Sequence, residues 1–368
     1  MGVFATVGSS SLLFLVGAVV VVMALGPTST AALGFSCSNS TAAATCRGIV
    51  GYKSPNQTTY PAVQALFGVT DLLSILGANG LPESTPATAP VSKGQVINIP
   101  FTCSCSNGTG TSQGIPIYTV QPGNTLTYIA SEVFSNLVTY GSIATASNIP
   151  NPDLILAGDK LKIPLPCSCD SVDGERVVHY GHVVAAGSSV EMIGQQFNVS
   201  ADVLLRLNNL TSDKDLLANA TIDVPLKACS SVIRNDSLDS SFLVPNFPNA
   251  AYFLTANNCV KCSCSSANNY TLQCQPSQIA PSNWTTCPSM QCQGTSHYIG
   301  NSTGSSCCNY AGYTNQTILT SSDTCPVTDN YAAKINTGAF SWNTVVTLLM
   351  VTLSLHHFHN LPTVFRVF

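Results

Sequence analysis

The sequence predicts an α+β fold of three tandem modules, each ordered strand, helix, helix, strand, followed by a cysteine-rich region of irregular and β structure. Two observations predict it. The segments 117–165 (module 2) and 178–226 (module 3) repeat one pattern, and the 16 cysteines of the chain include C-x-C pairs that close the repeated segments. Modules this short bury little surface, so we expect disulfides to join them.

Modules 2 and 3 begin alike. Each opens on a strand-like run and then has a turn that contains glycine, at 121–125 in one module and at 185–189 in the other. Thr125 and Ser189 are suitable N-caps for the helix that follows. Apolar residues then recur at helical spacing in both modules.

The modules also end alike. A second short helix ends at Asn148 or Asn208, and a closing strand follows at 160–165 or 221–226. An earlier segment, 46–101 (module 1), is a more divergent copy of the same order. It lacks the glycine turn, and we interpret it as a structural module.

The first residues of the chain, 1–34, have the pattern of a secretory signal peptide. An uninterrupted apolar or small run at 12–25 is too short to span a bilayer comfortably, and a cleavage-like Ala-Leu-Gly follows at 32–34. The alternative is a buried N-terminal helix.

The last residues, 337–368, have the pattern of a lipid-anchor signal. A mostly apolar run at 342–355 follows small residues, and this order is typical of a glycosylphosphatidylinositol (GPI) signal that is removed when the lipid is attached. We predict attachment at Asn336. The alternative is a single transmembrane helix, although the run is short for one and has no basic flank.

Passage through the secretory pathway is also indicated by Asn-x-Ser/Thr sequons, which occur only between the two hydrophobic ends. We expect their loops to be exposed, because each occupied site carries a bulky hydrophilic sugar. The predicted N-glycosylation sites are Asn39, Asn56, Asn107, Asn198, Asn209, Asn219, Asn235, Asn269, Asn283, Asn301 and Asn315.

In an exported chain, cysteines indicate disulfides before metal sites. They fall into a block of seven that ends at Cys229 and a block of nine from Cys259 to Cys325. Both numbers are odd, so if every thiol is paired at least one disulfide joins the blocks, and Cys229 is the economical partner. The C-x-C pairs are not expected to close on themselves. A zinc site at Cys259-x-x-Cys262-x-Cys264 is the alternative for that run.

The composition argues against several functions. Charged residues make up 8% of the chain and the net charge is −4, which is too little positive charge for a nucleic-acid partner. A glycan hydrolase needs two carboxylates around the scissile bond, and Glu132, Asp153 and Asp159 of module 2 show no such pairing. We interpret His179 and His182 as the surface of a strand. The sequence therefore predicts no enzyme, no metal site and no cofactor.

Module 2 contains Tyr-Thr-Val-Gln-Pro-Gly-Asn-Thr-Leu at 118–126, Asn-Ile-Pro at 148–150 and Ala-Gly-Asp-Lys-Leu-Lys-Ile-Pro at 157–164. This pattern is very similar to the LysM module. Three such modules separated by C-x-C pairs, between a signal peptide and a lipid-anchor signal, resemble the plant LysM domain-containing GPI-anchored proteins of the chitin-elicitor-binding type. The cysteine-rich region, 229–325, resembles the branch of that family that is associated with bacterial peptidoglycan as well as chitin.

The resemblance implies a βααβ fold for each module and a glycan-binding groove between the loop after the first strand and the loop before the last strand. It implies the disulfides Cys37–Cys105, Cys46–Cys169 and Cys103–Cys167. The ligand-binding residues that it implies in module 2 are Gln121, Pro122, Gly123, Asn124, Thr125, Asn148, Ile149, Pro150, Asn151 and Ile155. Module 3 has Ala-Ala-Gly-Ser-Ser at 185–189 in place of the family's turn, so module 2 is the predicted binding module.

Such a groove suits a neutral acetylated sugar. Backbone amides, Asn124 and Thr125 can form hydrogen bonds with acetamido and hydroxyl groups, and Ile149, Pro150 and Ile155 offer apolar surface to the N-acetyl methyl. We expect a receptor of plant innate immunity on the outer face of the cell membrane that binds chitin or peptidoglycan oligosaccharides. The resemblance implies a LysM receptor-like kinase as partner, and oligomers with itself or related receptors. A structural adhesin that binds no glycan is the alternative.

Overall fold

The computed structural model describes residues 35–38, 44–106, 108–113, 116–229, 233–248, 250–303 and 306–324. The predicted signal peptide, the lipid-anchor signal and its attachment site Asn336 lie outside these ranges, as do Asn39, Asn107 and Cys325. The chain divides into two compact units, Met1–Lys227 and Ala228–Phe368. Each unit is described by itself.

Module 1 has the predicted order of strand, helix, helix and strand. Its elements are β1 (Ala44–Lys53), β2 (Thr58–Thr59), α1 (Tyr60–Phe67), α2 (Leu72–Ala78), β3 (Pro90–Val91) and β4 (Val96–Ser106), and β5 (Thr109–Ser112) follows. The side chains of Thr59 and Asp71 cap the two helices. Among the described residues no single helix is long and apolar enough to cross a membrane, and α1 with α2 meets that test only as a pair bent by 108°.

Module 2 repeats this order with shorter strands. Its elements are β6 (Ile117–Thr119), α3 (Leu126–Tyr128), α4 (Tyr140–Ala146) and β7 (Lys160–Lys162), and Ile129–Val133 continues α3 as a turn of π-helix. Thr125 caps α3 as predicted, because its hydroxyl accepts a hydrogen bond from the Tyr128 N–H at 3.1 Å. The closing strand is shorter than the predicted 160–165, since Ile163 and Leu165 donate instead to the Pro116 carbonyl and the Ser112 hydroxyl.

Module 3 has the same order again. Its elements are β8 (Val177–Val183), α5 (Val190–Phe197), α6 (Ala201–Leu207), a 3-10 turn (Asp213–Asp215) and β9 (Thr221–Cys229). Ser189 caps α5 as predicted, since its hydroxyl accepts a hydrogen bond from the Met192 N–H at 3.1 Å. The same short-range signals, a polar cap followed by apolar residues at helical spacing, therefore produce the same elements in both modules.

Modules 1 and 3 share one sheet, whereas β6 and β7 of module 2 form a separate pair. Within the first unit, the strands of the shared sheet run in the order β9, β8, β1, β4, β5. Only β1 and β8 are parallel, with Ile49 opposite Tyr180 and Val50 opposite Gly181. A Cβ on Gly181 would lie 2.8 Å from Val50 Cγ1, so glycine allows the close approach of the strands at this seam.

Modules 1 and 2 are connected through their interiors. The aromatic rings of Tyr52, Phe67, Phe134 and Tyr118 form a chain of edge-to-face contacts, with ring centroids 5.0, 5.7 and 5.9 Å apart. The buried aliphatic residues of both modules belong to one hydrophobic cluster. The two modules therefore bury more surface together than a single module of this size could bury alone.

Three disulfides close the first unit. Cys37 bonds to Cys105, Cys46 to Cys169 and Cys103 to Cys167, which is the pairing that the family resemblance implies. Each disulfide joins two different segments, because the two cysteines of each C-x-C pair contact different partners. The residues that precede module 1 are thereby tied to β4, and the segment that follows module 2 is tied to β1 and β4.

The second unit consists of short strands in two sheets. Its strands are β10 (Val244–Pro245), β11 (Tyr252–Thr255), β12 (Val260–Ser263), β13 (Gln273–Pro276), β14 (Ser302–Thr303), β15 (Ser306–Tyr313) and β16 (Ile318–Thr324). Strands β11 to β13 form one antiparallel sheet and β14 to β16 form another, while β10 pairs with Ala228 and Cys229. The second unit is thus β and irregular structure, as predicted for the cysteine-rich region.

Disulfides also close the second unit. They join Cys229 to Cys264, Cys259 to Cys287, Cys262 to Cys274 and Cys292 to Cys308, and Cys307 is disulfide-bonded as well. Cys229 therefore forms the predicted disulfide between the two cysteine blocks of the sequence. All three cysteines of the Cys259-x-x-Cys262-x-Cys264 run are oxidised, so the zinc alternative is wrong, because a zinc ligand must be a thiolate.

Candidate functional site

The two loops that were predicted to form the groove of module 2 are joined by backbone hydrogen bonds. We call 121–125 the first loop and 148–159 the second loop. The Val120 N–H donates to the Asp159 carbonyl and the Gly158 N–H donates to the Val120 carbonyl, both at 2.9 Å. This pair of hydrogen bonds, the clasp, fixes the end of the second loop beside the start of the first.

The first loop is held in its turn by Asn124. Its Oδ1 accepts hydrogen bonds from the Gln121 N–H at 3.0 Å and from the Tyr118 hydroxyl at 2.8 Å, and its own N–H donates to the Gln121 carbonyl. Gly123 has a φ of +83°, a conformation that glycine adopts without strain. Oδ1 of Asn124 therefore stabilises the turn, and its Nδ2 group can donate hydrogen bonds to other partners.

The second loop is built from two local turns. Asn151 accepts a hydrogen bond on its Oδ1 from the Asp153 N–H at 3.1 Å, and Asp159 accepts one on its Oδ2 from the Leu156 N–H at 2.8 Å. Asn148 has a φ of +54°, which turns the chain out of helix α4. The side-chain oxygens of Asn151 and Asp159 are thus part of the loop's own structure.

The apolar residues of the second loop differ in exposure. Ile149 and Ile155, which were predicted to contact ligand, are partly buried and pack against the core. Leu154 and Leu156 on either side of Ile155 are each 73% exposed, and Tyr128 in the first turn of α3 is 49% exposed. The apolar contacts were predicted for Ile149, Pro150 and Ile155 and not for these three exposed residues, although in a run such as Leu154-Ile155-Leu156 an extended loop points alternate side chains outward.

The carboxylates near these loops are exposed to solvent. Glu132, Asp153 and Asp159 are all exposed, and no ion pair involves them among the residues that the structure describes. Burial raises the pKa of Tyr118, with a smaller contribution from Tyr128, so Tyr118 stays a neutral hydrogen-bond donor. The surface between the loops therefore offers hydrogen bonds to a neutral ligand.

Modules 1 and 3 contain the same clasp. In module 3 the Val184 N–H donates to the Ala220 carbonyl at 2.9 Å and the Asn219 N–H donates to the Val184 carbonyl at 2.8 Å. In module 1 the matching bonds join Ser54 to Gln95 at 2.9 Å and Gly94 to Ser54 at 2.7 Å. The first loop of module 3 is therefore 185–189, its second loop is 209–220, and the loops of module 1 are 55–59 and 80–95.

The modules differ in what else connects their two loops. In module 1, β2 pairs with β3, with Thr58 opposite Val91 and Thr59 opposite Pro90, so backbone pairing joins the loops. In module 3 the N–H of Val190, the residue that directly follows the first loop, donates to Oδ1 of Asp213 in the second loop at 2.6 Å. Module 2 has Pro152 at the position of Asp213, and within the described part of that module only the clasp forms hydrogen bonds between the loops.

The polar residue at the end of the second helix also has an equivalent in each module. This equivalence corrects the predicted match of Asn148 with Asn208. Asn208 donates to the Asp223 carbonyl at 2.8 Å and accepts from the Asp223 N–H at 2.7 Å, and Asn79 of module 1 makes the same two contacts with Asn98. In module 2 the residue that bonds the last strand in this way is Ser147, which accepts from the Lys162 N–H at 2.9 Å. Asn148 thus matches Asn209 and not Asn208, because the polar residue at the helix end, whatever its type, binds the closing strand.

The prediction that His179 and His182 form a strand surface is wrong. His179 is 1% exposed, and its Nδ1 lies 2.7 Å from Oδ2 of the buried Asp223 while its Nε2 lies 2.8 Å from the Asp170 carbonyl. Burial alone would lower the pKa of His179, but the charge of Asp223 and the hydrogen bonds to Asp223 and Asp170 raise it. His182 packs against the rings of Tyr180 and Phe197. His179 is buried and His182 is partly buried, because β8 lies in the interior of the shared sheet.

These histidines form no exposed catalytic or metal site. The carbonyl of Asp170 only accepts hydrogen bonds, so Nε2 of His179 carries a proton, and a second proton lies between Nδ1 and Asp223. The pair is therefore a buried polar contact within module 3. Cys46, Cys103 and Cys169 also lie close together, but all three are disulfide-bonded and so have no thiolate to offer a metal ion.

Comparison with known proteins identifies the modules. Residues 118–164 and 182–225, within modules 2 and 3, match the LysM domain family. The chain is 47% identical over 330 residues to LysM domain-containing GPI-anchored protein 2 of Arabidopsis thaliana, covering 87% of this chain and 90% of that protein. It is 39% identical over 292 residues to Chitin elicitor-binding protein of Oryza sativa subsp. japonica, covering 78% of this chain and 80% of that protein. It is 27% identical over 187 residues to Chitin elicitor receptor kinase 1 of Physcomitrium patens, covering 50% of this chain and 28% of that protein.

Proposed function

The chain belongs to the family of LysM domain-containing GPI-anchored proteins of plants, and from that premise we propose that it binds oligosaccharides of N-acetylglucosamine, from chitin or peptidoglycan, between the first and second loops of module 2. One observation carries the proposal. Among the described residues of the three modules, only the loops of module 2 are joined by the clasp alone, whereas strand pairing joins those of module 1 and Asp213 those of module 3.

The residues around this opening fit an acetylated sugar. Leu154, Leu156 and Tyr128 are exposed and offer apolar surface to the N-acetyl methyl and to the faces of the sugar rings. The exposed first-loop residues Gln121, Pro122, Gly123 and Thr125, together with Asn124 Nδ2, offer polar groups to the hydroxyl and acetamido groups. Asn148, Pro150 and Asn151 of the second loop are exposed on the other side.

The binding of a polymer follows from the small size of this site. A single shallow site holds one or a few sugars weakly, but a chain that contacts two receptors at once gains affinity through effective concentration. We therefore propose that long oligomers bring receptors together, either copies of this chain or related receptors. Module 1, which lies outside the residues that match the LysM domain family, is in our proposal a divergent LysM module with a structural role.

We place the protein on the outer face of the plasma membrane. The Arabidopsis thaliana relative is named as GPI-anchored. We propose that 1–34 is removed as a signal peptide and that 337–368 is removed when a lipid is attached to Asn336. All nine sequon asparagines in the described ranges are exposed, which supports their glycosylation. For signalling in innate immunity we propose a LysM receptor-like kinase as the partner, supported by the similarity to a chitin elicitor receptor kinase.

Direct titration of the purified, glycosylated protein tests the binding proposal. We expect saturable binding of chitin oligomers, soluble peptidoglycan fragments or both, and recovery of a LysM receptor-like kinase from plant membranes in the presence of the ligand. Absence of saturable binding to both glycans at high micromolar concentration would support the structural adhesin instead. Release of shorter fragments from either glycan would identify an enzyme.

A matched pair of variants locates the site. Leu156 and Leu217 hold equivalent positions, since each lies three residues before the clasp residue Asp159 or Ala220, and both are exposed. We expect Leu156→Asp to weaken binding about tenfold, the equivalent of ~1.4 kcal/mol, because a charge replaces an apolar contact. Leu217→Asp in module 3 should bind as the unchanged protein does. Equal effects of the two variants would contradict a site in module 2.

A further inference from the structure

The sequons have a regular relation to the loops of the modules. Module 3 has sequons at both ends of its second loop, Asn209-Leu210-Thr211 and Asn219-Ala220-Thr221. Module 1 has one in its first loop, at Asn56. The whole of module 2, with the first and second loops that form the proposed site, contains no sequon. The modules thus differ in where an N-glycan can be attached relative to the same structural loops.

The two sequons of the second loop of module 3 hold positions equivalent to residues of the proposed site in module 2, whereas the third sequon of module 3, at Asn198, follows helix α5. Asn219 holds the clasp position of Gly158, and its N–H makes the same hydrogen bond to the end of the first strand. Asn209 matches Asn148: both follow the residue that binds the last strand, and both have a φ of +54°. Both asparagines of module 3 are exposed, so their side chains are open to carry sugar.

Module 3 exposes apolar side chains at positions that correspond to the proposed site of module 2. Met192 and Leu217 are 58% and 55% exposed, and they correspond to Tyr128 and Leu156 of module 2 by their positions relative to the helix cap and the clasp. Apolar side chains at these two positions are the part of the proposed site that module 3 keeps. A bulky hydrophilic sugar at each end of the loop would lie over them.

From this placement we propose that N-glycans on Asn209 and Asn219 cover the loop face of module 3 and prevent glycan ligands from binding there. The glycan on Asn56 does the same for the first loop of module 1. The module without sequons is then the one face that is open to ligand, an interpretation that rests on the proposed function of module 2. Attached sugar, as well as protein sequence, decides which of three similar modules can act as the binding site.

Oxidative footprinting tests the covering without any ligand. Hydroxyl radicals oxidise methionine in proportion to its accessibility, so Met192 reports on the face of module 3 and Tyr128 reports on module 2. We expect the oxidation rate of Met192 to rise several-fold in an Asn209→Asp/Asn219→Asp variant, in which aspartate tolerates the positive φ, while the rate of Tyr128 is unchanged. Equal Met192 rates in both proteins, or unglycosylated Asn209 and Asn219 by glycopeptide mass spectrometry, would overturn the proposal.

Transfer of a sequon to module 2 tests the consequence for binding. Gly158→Asn with Lys160→Thr creates the sequon Asn-Asp-Thr at the position of Asn219, and the two glycoforms of this variant, with and without sugar on residue 158, have the same amino-acid sequence. We expect the glycoform that carries the sugar to bind chitin oligomers at least tenfold more weakly than the glycoform that lacks it. Equal binding by the two glycoforms would overturn the covering role. If the unchanged protein binds no oligomer, the proposed function fails, and the footprinting result still decides whether module 3 is covered.

Discussion

Modules 1 and 3 are joined through their strands, whereas module 2 keeps its two strands as a separate pair. The parallel contact of β1 and β8 merges modules 1 and 3 into one sheet, to which each module contributes antiparallel strands. Module 2 is attached by a shared core and by disulfides at its end. The same order of elements therefore serves as a scaffold in two modules and as a separately attached module in the third.

The role of a module in this protein depends on its contacts more than on its fold. All three modules have the clasp, capped helices and a polar residue that binds the last strand. They differ in the connections between their loops and in the polar groups that they bury.

The largest effect is expected from the disulfide that ties the end of module 2 to β1. Replacing Cys46 and Cys169 by alanine removes a cross-link between residues 123 positions apart in the sequence, which should lower the free energy of unfolding by about 4 kcal/mol. Denaturant unfolding measures the loss. Hydrogen exchange should accelerate more for Tyr118 and Leu161, in the short β6–β7 pair, than for Tyr180 in the shared sheet. Equal acceleration in the two sheets would contradict the separate attachment of module 2.

A somewhat smaller loss is expected from breaking the buried pair of module 3. Asp223→Ala leaves His179 without its partner in the interior, and removing one member of a buried ion pair costs about 3 kcal/mol of stability. Lys162 holds the equivalent strand position in module 2 and is exposed, so Lys162→Ala is the matched control and should change stability little. Thermal unfolding of both variants gives the comparison.

The double variant His179→Leu/Asp223→Leu separates charge burial from packing. With both partners replaced by apolar residues no charge is left unpaired, and most of the stability should return. A double variant as unstable as Asp223→Ala would show that shape, and not the pair, is what the site requires. Binding by module 2 should be the same in all of these proteins, because the pair lies within module 3.

The two histidines of β8 predict opposite responses to pH. The raised pKa of His179 contributes stability that is complete below its unfolded pKa of 6.5 and is lost as the pH rises through the folded value. Burial lowers the pKa of His182 from 6.5 to about 4, so its contribution is present above pH 6.5 and is lost as the pH falls towards 4. The contributions of these two histidines together are therefore greatest near pH 6.5, and unfolding experiments on both sides of that pH measure them.

Replacing His182 by phenylalanine isolates the acidic side of this profile. Phenylalanine can keep the packing against Tyr180 and Phe197 and has no proton to bind. Between pH 6.5 and 4 the unchanged protein should lose about 2 kcal/mol more stability than the variant, since each pKa unit corresponds to ~1.4 kcal/mol and the ring is partly exposed. Parallel acid profiles of the two proteins would rule out His182 as the cause.

Local features of the fold were predictable from the sequence, and its long-range features were not. Thr125 and Ser189 cap helices as predicted, because a cap depends on residues within one turn. The parallel pairing of Ile49 with Tyr180 joins strands that lie far apart in the sequence, and no short-range pattern encodes it. The burial of His179 has the same cause: its strand became central only through that pairing.

The candidate site was predictable in outline only. The position of both loops followed from the repeated pattern, and the clasp brings them together. Which apolar residues of the second loop are exposed could not be predicted. Leu154 and Leu156 are of the same residue types as the core, and only the direction of their side chains distinguishes them from Ile155. Asn124 was predicted to bind ligand, and its Oδ1 instead accepts a hydrogen bond from the Gln121 N–H within the turn. A short polar side chain often forms such bonds with nearby backbone groups.

The smallest expected effect compares the turn residue of module 2 with its counterpart in module 3. Asn124→Ala removes the acceptor of the Gln121 N–H and of the Tyr118 hydroxyl, and an exposed turn of this kind should lose about 1 kcal/mol. Ser188 occupies the same place, with the same backbone bond to Ala185, so Ser188→Ala should be close to neutral. Exchange of the Gln121 amide, measured by NMR, should accelerate about fivefold in Asn124→Ala, as expected for ~1 kcal/mol of local opening. An unchanged rate would mean that the clasp alone holds the first loop, and the distinction between the two first loops would then lie only in what they present to ligand.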